Sequence, residues 1–272
     1  MLDKITYTNH LNEKIVLGER PYFANHSDLR DYSWEYTENN NRILSFNKGI
    51  KQYKLPVVIL CKTEEEGFQK RNALFEITEK DVLAKKYGTL QIGDYKLQCY
   101  VKESKKSEFL ADKRYMKVQL AILTDKPYWL KETTFRFRKT TNTSEYLDFP
   151  HDMPYDFKNS LALMNFNNTN FTASNFRIII YGAVENPQLT INSHVYAVET
   201  ALVANETLTI DSFTKTIEQV SVAGTKYNKF SSRNKDSYIF EKIASGKCAV
   251  LPSEKFDFDI IIYEERGEPK WT

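Results

Sequence analysis

The chain has 272 residues, 41% hydrophobic and 27% charged, with 17 Tyr and 17 Phe against nine Gly; this length suits two domains of ordinary size, and the composition excludes intrinsic disorder. A net charge of +2 lacks the excess of a dedicated nucleic-acid binder or a polybasic membrane anchor. Apolar runs such as Val57–Cys61 are far too short to span a bilayer, and Met1-Leu2-Asp3-Lys4 leads into strand-like alternation without a signal-peptide core, so the expectation is a protein made and folded in a cytoplasm.

In chain order, Ile5 to Leu17 alternates loosely around a turn at Asn12-Glu13, and Pro21 to Arg30 reads as loop. Tyr32 to Tyr36 is a short aromatic strand containing Trp34, Asn39-Asn40-Asn41 is a turn, and Ile43–Phe46 and Leu55–Cys61 are further strands. Leu55–Cys61 is apolar on both faces, as a central strand would be. Thr63-Glu64-Glu65-Glu66 is a capping box that opens one helix, its acidic first turn suiting the dipole. Phe68, Phe75 and Val82 recur every seven residues on its apolar face, with Leu74 near it and Ile77 opposite. That conflict predicts a break near Thr78, where Asp81 suggests a second cap, and Gly88 supplies a left-handed end. Gly93-Asp94 joins Leu90–Ile92 to Tyr95–Val101 in a tight hairpin of type II′. Met116–Leu123 is the next strand, and Pro127 stops it.

After a polar stretch from Lys139 to Ser144 and a turn-rich connection at His151–Pro154, almost everything reads as strand. An Asn/Thr-rich loop, Asn165–Asn175, precedes Phe176–Tyr181, Gln188–Ile191, Val195–Val203, Glu206–Asp211, Thr216–Val220, Lys247–Leu251 and Phe256–Tyr263. Short strands at near-regular spacing imply a sandwich or jelly-roll-like module. The fold class is therefore mainly β: a β-rich N-terminal domain with one helix, residues 1–133, and a β-sandwich, residues 134–272.

Catalytic and metal signatures are lacking, and the reading is a non-enzyme with no cofactor. Asp148, His151, Asp152 and Asp156 cluster in the connection between the domains, but their spacing matches no defined metal site, and a rigid linker explains them better. Asp257 and Asp259 alternate with Phe256 and Phe258; glycoside hydrolysis needs opposed carboxylates across a cleft, whereas residues i and i+2 share one face of a strand, here read as its solvated face. The four His are scattered, Cys61, Cys99 and Cys248 read as buried thiols, and the Lys102/Lys105/Lys106 group reads as a solvated face or hairpin tip. Sequons at Asn25-His26-Ser27 and Asn205-Glu206-Thr207 mean little without a secretory signal.

One family matches the order of these landmarks. The aromatic strand with Trp34, the capped helix, the Gly88–Ile92 hairpin strand and Asp125-Lys126-Pro127-Tyr128-Trp129 are followed by Phe176–Gly182, Asn186-Pro187, Leu208–Ser212, Phe240–Gly246 and Glu268-Pro269-Lys270-Trp271. This series resembles the distal tail protein (Dit) family of long-tailed, non-contractile bacteriophages or prophages. The resemblance implies a ring-forming belt domain over 1–133 and a galectin-like sandwich over 134–272. It further implies a homo-hexameric ring at the virion tail tip, assembled in the host bacterial cytoplasm. That ring would join the major tail-tube protein to the tail-tip protein, carry receptor-binding proteins on the sandwich, and pass DNA as transient cargo, without a membrane role. A closed ring needs two complementary patches per subunit. The candidates are Ile43 and Phe46, and the hairpin at Gly93, Asp94 and Tyr95, whose edge strands would pair across subunits. Near-neutral charge fits a lumen that does not grip its cargo. The competing readings are a carbohydrate-binding adhesin, prompted by aromatics such as Trp271, and a cell-wall hydrolase using Asp257 and Asp259. Pro269–Trp271 is expected to pin the sandwich closed.

Overall fold

The structure, a computed structural model, describes residues 4–24, 27–109, 113–139 and 163–271. It divides into two compact units, Met1–Lys131 with Glu265–Thr272, and Glu132–Glu264. The break in the chain lies two residues from the boundary expected from the sequence, and the last eight residues return to the first unit.

The first unit begins with β1 (Ile5–Thr8), β2 (Lys14–Leu17) and β3 (Tyr22–Ala24), then a hairpin of β4 (Glu35–Asn39) and β5 (Arg42–Asn47). β6 (Lys51–Leu60), α1 (Glu64–Ala84), β7 (Gly88–Ile92), β8 (Tyr95–Phe109), β9 (Tyr115–Thr124) and the start of β10 (Trp129–Phe137) complete it. β8 serves two ladders. Its first residues pair with β7, which pairs with β1 and through it β2. From Tyr100 onward β8 pairs with β9, and β9 with β6. A bulge between Val101 and Glu103 accompanies the change of partner, as bulges re-aim a strand. Alternation then places Leu55, Val57, Ile59, Val118, Leu120, Ile122, Leu97 and Cys99 in one core with Leu17, Leu90 and Trp129. Burial pushes the Cys99 thiol up to about 12, which suits an inert small hydrophobe rather than a nucleophile.

Local turn chemistry explains the hairpins. Gly93 has φ +56°, as the first central residue of a type II′ turn requires, and Asn40 and Asn41 both have positive φ, the signature of type I′. Thr63 caps α1 by accepting the Glu66 N–H at 3.2 Å, while the Glu66 carboxylate accepts the Lys62 N–H at 2.8 Å.

The helix differs from expectation in two respects. It runs unbroken through Thr78, whose hydroxyl donates to the Leu74 carbonyl at 2.8 Å instead of capping a new segment. Its left-handed end is Lys85 (φ 51°), not Gly88. Gly88 opens β7 instead, where a Cβ would lie 2.2 Å from the Tyr7 hydroxyl and 2.3 Å from Asp81 Oδ2. Only glycine lets the backbone approach so closely.

The second unit packs two sheets. One runs from β21 (Asp257–Arg266) through β12 (Phe176–Tyr181), β17 (Thr207–Asp211) and β18 (Thr216–Val220) to β19 (Lys226–Asn228). The other orders β11 (Met164–Asn168), β20 (Gly246–Pro252), β14 (Gln188–Ile191) and β15 (His194–Ala197). β13 (Val184–Glu185) and β16 (Ala201–Leu202) form a separate short pair. Phe176, Ile178, Ile180, Leu208, Ile210, Phe258 and Ile260 meet Phe166, Leu189, Ile191, Cys248 and Val250 in its core. The sequence missed β11, reading it as part of the Asn165–Asn175 loop. Its ladder with β20, Phe166 opposite Cys248, overrides a composition that favours turns. Val195–Val203, read as one strand, splits between β15 and β16 because the chain leaves one sheet for another.

β21 is not an amphipathic outer strand. Asp259 is only 6% exposed, and its carboxylate accepts from Arg138 Nη1 at 2.7 Å and the Tyr181 hydroxyl at 2.9 Å. Asp257 accepts the Lys139 N–H at 2.7 Å. Nor do Pro269–Trp271 close the sandwich: Arg30 donates to the Pro269 carbonyl at 2.8 Å and lies 4.0 Å over the Trp271 ring, all within the first unit. The candidate group Asp148, His151, Asp152 and Asp156 lies outside the described residues, as does the Asn25-His26 part of the first sequon.

Candidate assembly surface

The first unit leaves a set of large apolar side chains substantially exposed. The β4–β5 hairpin is a two-stranded sheet of its own, and every residue in it is exposed. Tyr36 faces Phe46 directly across the pair, Thr37 meets Ser45 with their hydroxyls 2.7 Å apart, and the register then skips Leu44. Ile43, Leu44 and Phe46 are all more than half exposed, Phe46 at 58%, and Trp34 and Ile50 extend this apolar surface at the root. There Lys48 Nζ sits 4.8 Å over the Trp34 ring, and burial draws its pKa below the usual lysine range. An isolated two-stranded hairpin is marginal in water, and a contiguous apolar surface marks a contact site.

α1 carries the second such surface. Its buried face is Gly67, Leu74, Thr78 and Asp81, with Ile77 packed against the core. Phe68, Phe75 and Val82 lie one residue further on, about 100° around the helix, and point outward; Phe75 is 53% exposed and Leu83 extends the stripe. The seven-residue period was legible, but the buried face is its polar-flanked neighbour. Two tertiary contacts decide this. A Cβ on Gly67 would stand 2.4 Å from the Lys113 carbonyl, so the helix approaches the backbone there at van der Waals distance. At the other end Asp81, fully buried, accepts from the Tyr7 hydroxyl, the His10 N–H and His10 Nδ1. Burial together with this bond to Asp81 raises the Tyr7 pKa well above the ordinary range. Lys80 adds an ion pair to Glu13 at 2.8 Å, and the Lys80 ammonium and Asn9 amide hold the Glu13 carboxyl below its usual value.

The hairpin expected to offer a pairing edge does not have one. β7 is flanked by β1 and β8, and β8 by β7, β9 and β10. Gly93 and Asp94 stand at the exposed tip, Asp94 paired with Lys131 at 2.9 Å, its carboxyl held low by that hydrogen bond. Tyr95 is 5% exposed and belongs to the core. Ile43 and Phe46 therefore lie on the exposed arm, whereas the turn contributes only its tip.

In the second unit, exposed aromatics gather near the β19 edge. Arg233 lies 4.1 Å over Phe230, and Lys215 lies 5.4 Å over Tyr238. Cations already engage these rings, which a sugar-binding platform would leave open to its ligand. The buried carboxylate Asp211 is consumed internally by Arg177, the Tyr263 hydroxyl and the N–H groups of Phe213 and Thr214. Among the described residues no group of His, Cys, Asp and Glu is arranged to hold a metal.

No family model and no curated protein matches this sequence. Solved structures do. The SPP1 Dit protein, described as a paradigm of the hub adsorption apparatus in phages infecting Gram-positive hosts, aligns with a TM-score of 0.64 at 9% identity, over 97% of this chain and 99% of its own. A chain of the phage P2 baseplate, in activated conformations with Ca and with Sr, aligns with a TM-score of 0.57 at 12% identity, over 99% of this chain and 100% of its own. Over nearly its whole length, this chain has the mainly β fold of the Dit hub of a phage tail.

Proposed function

We propose that this chain is the Dit-type hub of a phage tail tip, a structural subunit without catalytic activity. The observation that carries the reading is the unpaired apolar arm at Ile43, Leu44 and Phe46 on a chain with a hub fold. Copies associate head to tail, the arm of one covering the Phe68–Phe75–Val82 stripe of the next. Such a heterologous contact closes into a ring when its rotation permits, six-fold as the Dit resemblance implies. The ring joins the tail-tube protein to the tail-tip protein and passes DNA, and receptor-binding proteins dock on the galectin-like sandwich. Both surfaces are rich in aromatic side chains, as the centres of stable interfaces are, and each carries a lysine over one ring, Lys48 over Trp34 and Lys113 over Phe68.

Native mass spectrometry and negative-stain microscopy of the purified chain over a wide concentration range test this. A ring population that disappears in an Ile43→Ser/Phe46→Ser variant is expected. Monomers at every concentration, or rings unaffected by that variant, overturn it.

A further inference from the structure

We propose that the arm lies on α1 of a second copy of this chain in one direction only, tip toward the start of the helix, with Glu38 meeting Lys113 and Lys48 meeting Glu79 across the contact. This direction rests on the arm-to-stripe contact above, and charge decides it. The arm owes its single apolar face to its bulge. Tyr36 lies opposite Phe46 and Glu38 opposite Ile43, and the register skips Leu44. Tyr36 and Glu38, two apart on β4, share a face. Ile43 and Phe46, three apart on β5, would take opposite faces of a regular strand; the extra residue brings them to the same one. The polar pairs Thr37–Ser45 and Asn39–Arg42 occupy the other face. Glu38, exposed, is thus the charge at the tip of the apolar face, and Lys48, over the Trp34 ring, is the charge at its root.

The stripe on α1 also carries a charge toward each end. Lys113 Nζ lies 5.2 Å over the Phe68 ring. Glu79 is exposed and stands four residues after Phe75 and three before Val82, on their side of the helix. Glu64 and Glu65 belong to the first turn, where the helix dipole already favours them. Among the described residues none of Glu38, Lys48, Glu79 and Lys113 forms an ion pair. With the tip at the Phe68 end, both meetings are between opposite charges. In the reverse direction Lys48 meets Lys113 and Glu38 meets Glu79, two like-charge contacts in a surface that loses its water on binding. The spacing agrees. Extended chain from Ile43, opposite Glu38, to Lys48 covers about 16 Å, and the helix from Phe68 to Glu79 covers about 16 Å. A single direction makes every contact between copies equivalent, which closure of a heterologous ring requires.

Sedimentation velocity of the full chain at low salt, with charge-reversal variants, tests the direction. Glu38→Lys and Lys113→Glu should each weaken self-association by about tenfold, less at high salt, and both should melt at the wild-type temperature because these side chains are exposed. Each contact joins the arm of one copy to the helix of another, so an equimolar mixture of the two variants should recover wild-type association, the copies alternating around an even-membered ring. Lys48→Glu and Glu79→Lys form a second pair that should behave in the same way. Tighter association of Glu38→Lys or Lys48→Glu marks the reverse direction and overturns the assignment, as does weakening that mixing does not repair. Single reversals that associate as the wild type does, while Ile43→Ser/Phe46→Ser loses its rings, overturn the direction and leave the hub reading standing. A wild-type chain that stays monomeric at every concentration removes both.

Discussion

The two units solve the same problem, enclosing β-sheets rich in aromatic residues, to different degrees of completion. In the second, Phe176, Phe258 and Ile260 are buried together, and the buried carboxylates Asp211 and Asp259 find their partners within the unit. In the first, an equally closed core coexists with an arm and a helix stripe that leave Trp34, Tyr36, Phe46, Phe68 and Phe75 in water. The difference teaches where to look for assembly. The second unit leaves Phe171, Tyr227 and Tyr238 exposed as well, but the first concentrates such side chains on one hairpin that pairs with no other strand and on one helix face.

Substitutions can break that contrast, and the largest effects belong to the finished parts. Phe258→Ala, deep in the sandwich, should cost about 3–5 kcal/mol, read by chemical denaturation, with no change specific to association. Asp81→Ala should destabilise the first unit by about 3 kcal/mol, because the Tyr7 hydroxyl and the His10 donors lose their buried acceptor; Asp81→Asn, which keeps an acceptor oxygen, should recover part of that loss. Phe46→Ser should leave the melting temperature of the monomer within about a degree but weaken self-association by roughly 10- to 100-fold, equivalent to losing burial of a large apolar side chain, as sedimentation velocity would report. A large loss of monomer stability from Phe46→Ser would contradict the contrast. Thr63→Ala should be mildest, about 1 kcal/mol from the lost cap, and should affect folding but not association.

Much of the fold is legible because it is local. Gly93-Asp94, Asn40-Asn41 and Thr63 with Glu66 declare their turns and cap through backbone chemistry that needs no distant partner. The positions of β7, β9, β12, β14, β17 and β18 follow from alternation, and that of β6 from a continuous apolar run. β11 was hidden because its polar composition becomes a strand only beside β20. Of the expected contact residues, Ile43 and Phe46 are exposed on the arm, while Tyr95 belongs to the core. Alternation alone gives Tyr95 no mark to distinguish an outward from an inward face.

By itself the sequence determined the class, mainly β with one capped helix, together with its local turns. Those properties depend on composition and on interactions a few residues apart. Tertiary structure alone decided which face each element buries. Asp81 turns inward because Tyr7 and His10 wait for it, Gly67 because the Lys113 carbonyl stands against it; as a result Phe68, Phe75 and Val82 turn outward. Asp259 is buried because Arg138 and Tyr181 reach it from distant strands. Burial is a property of neighbours, and neighbours far apart in the chain are not written in periodicity.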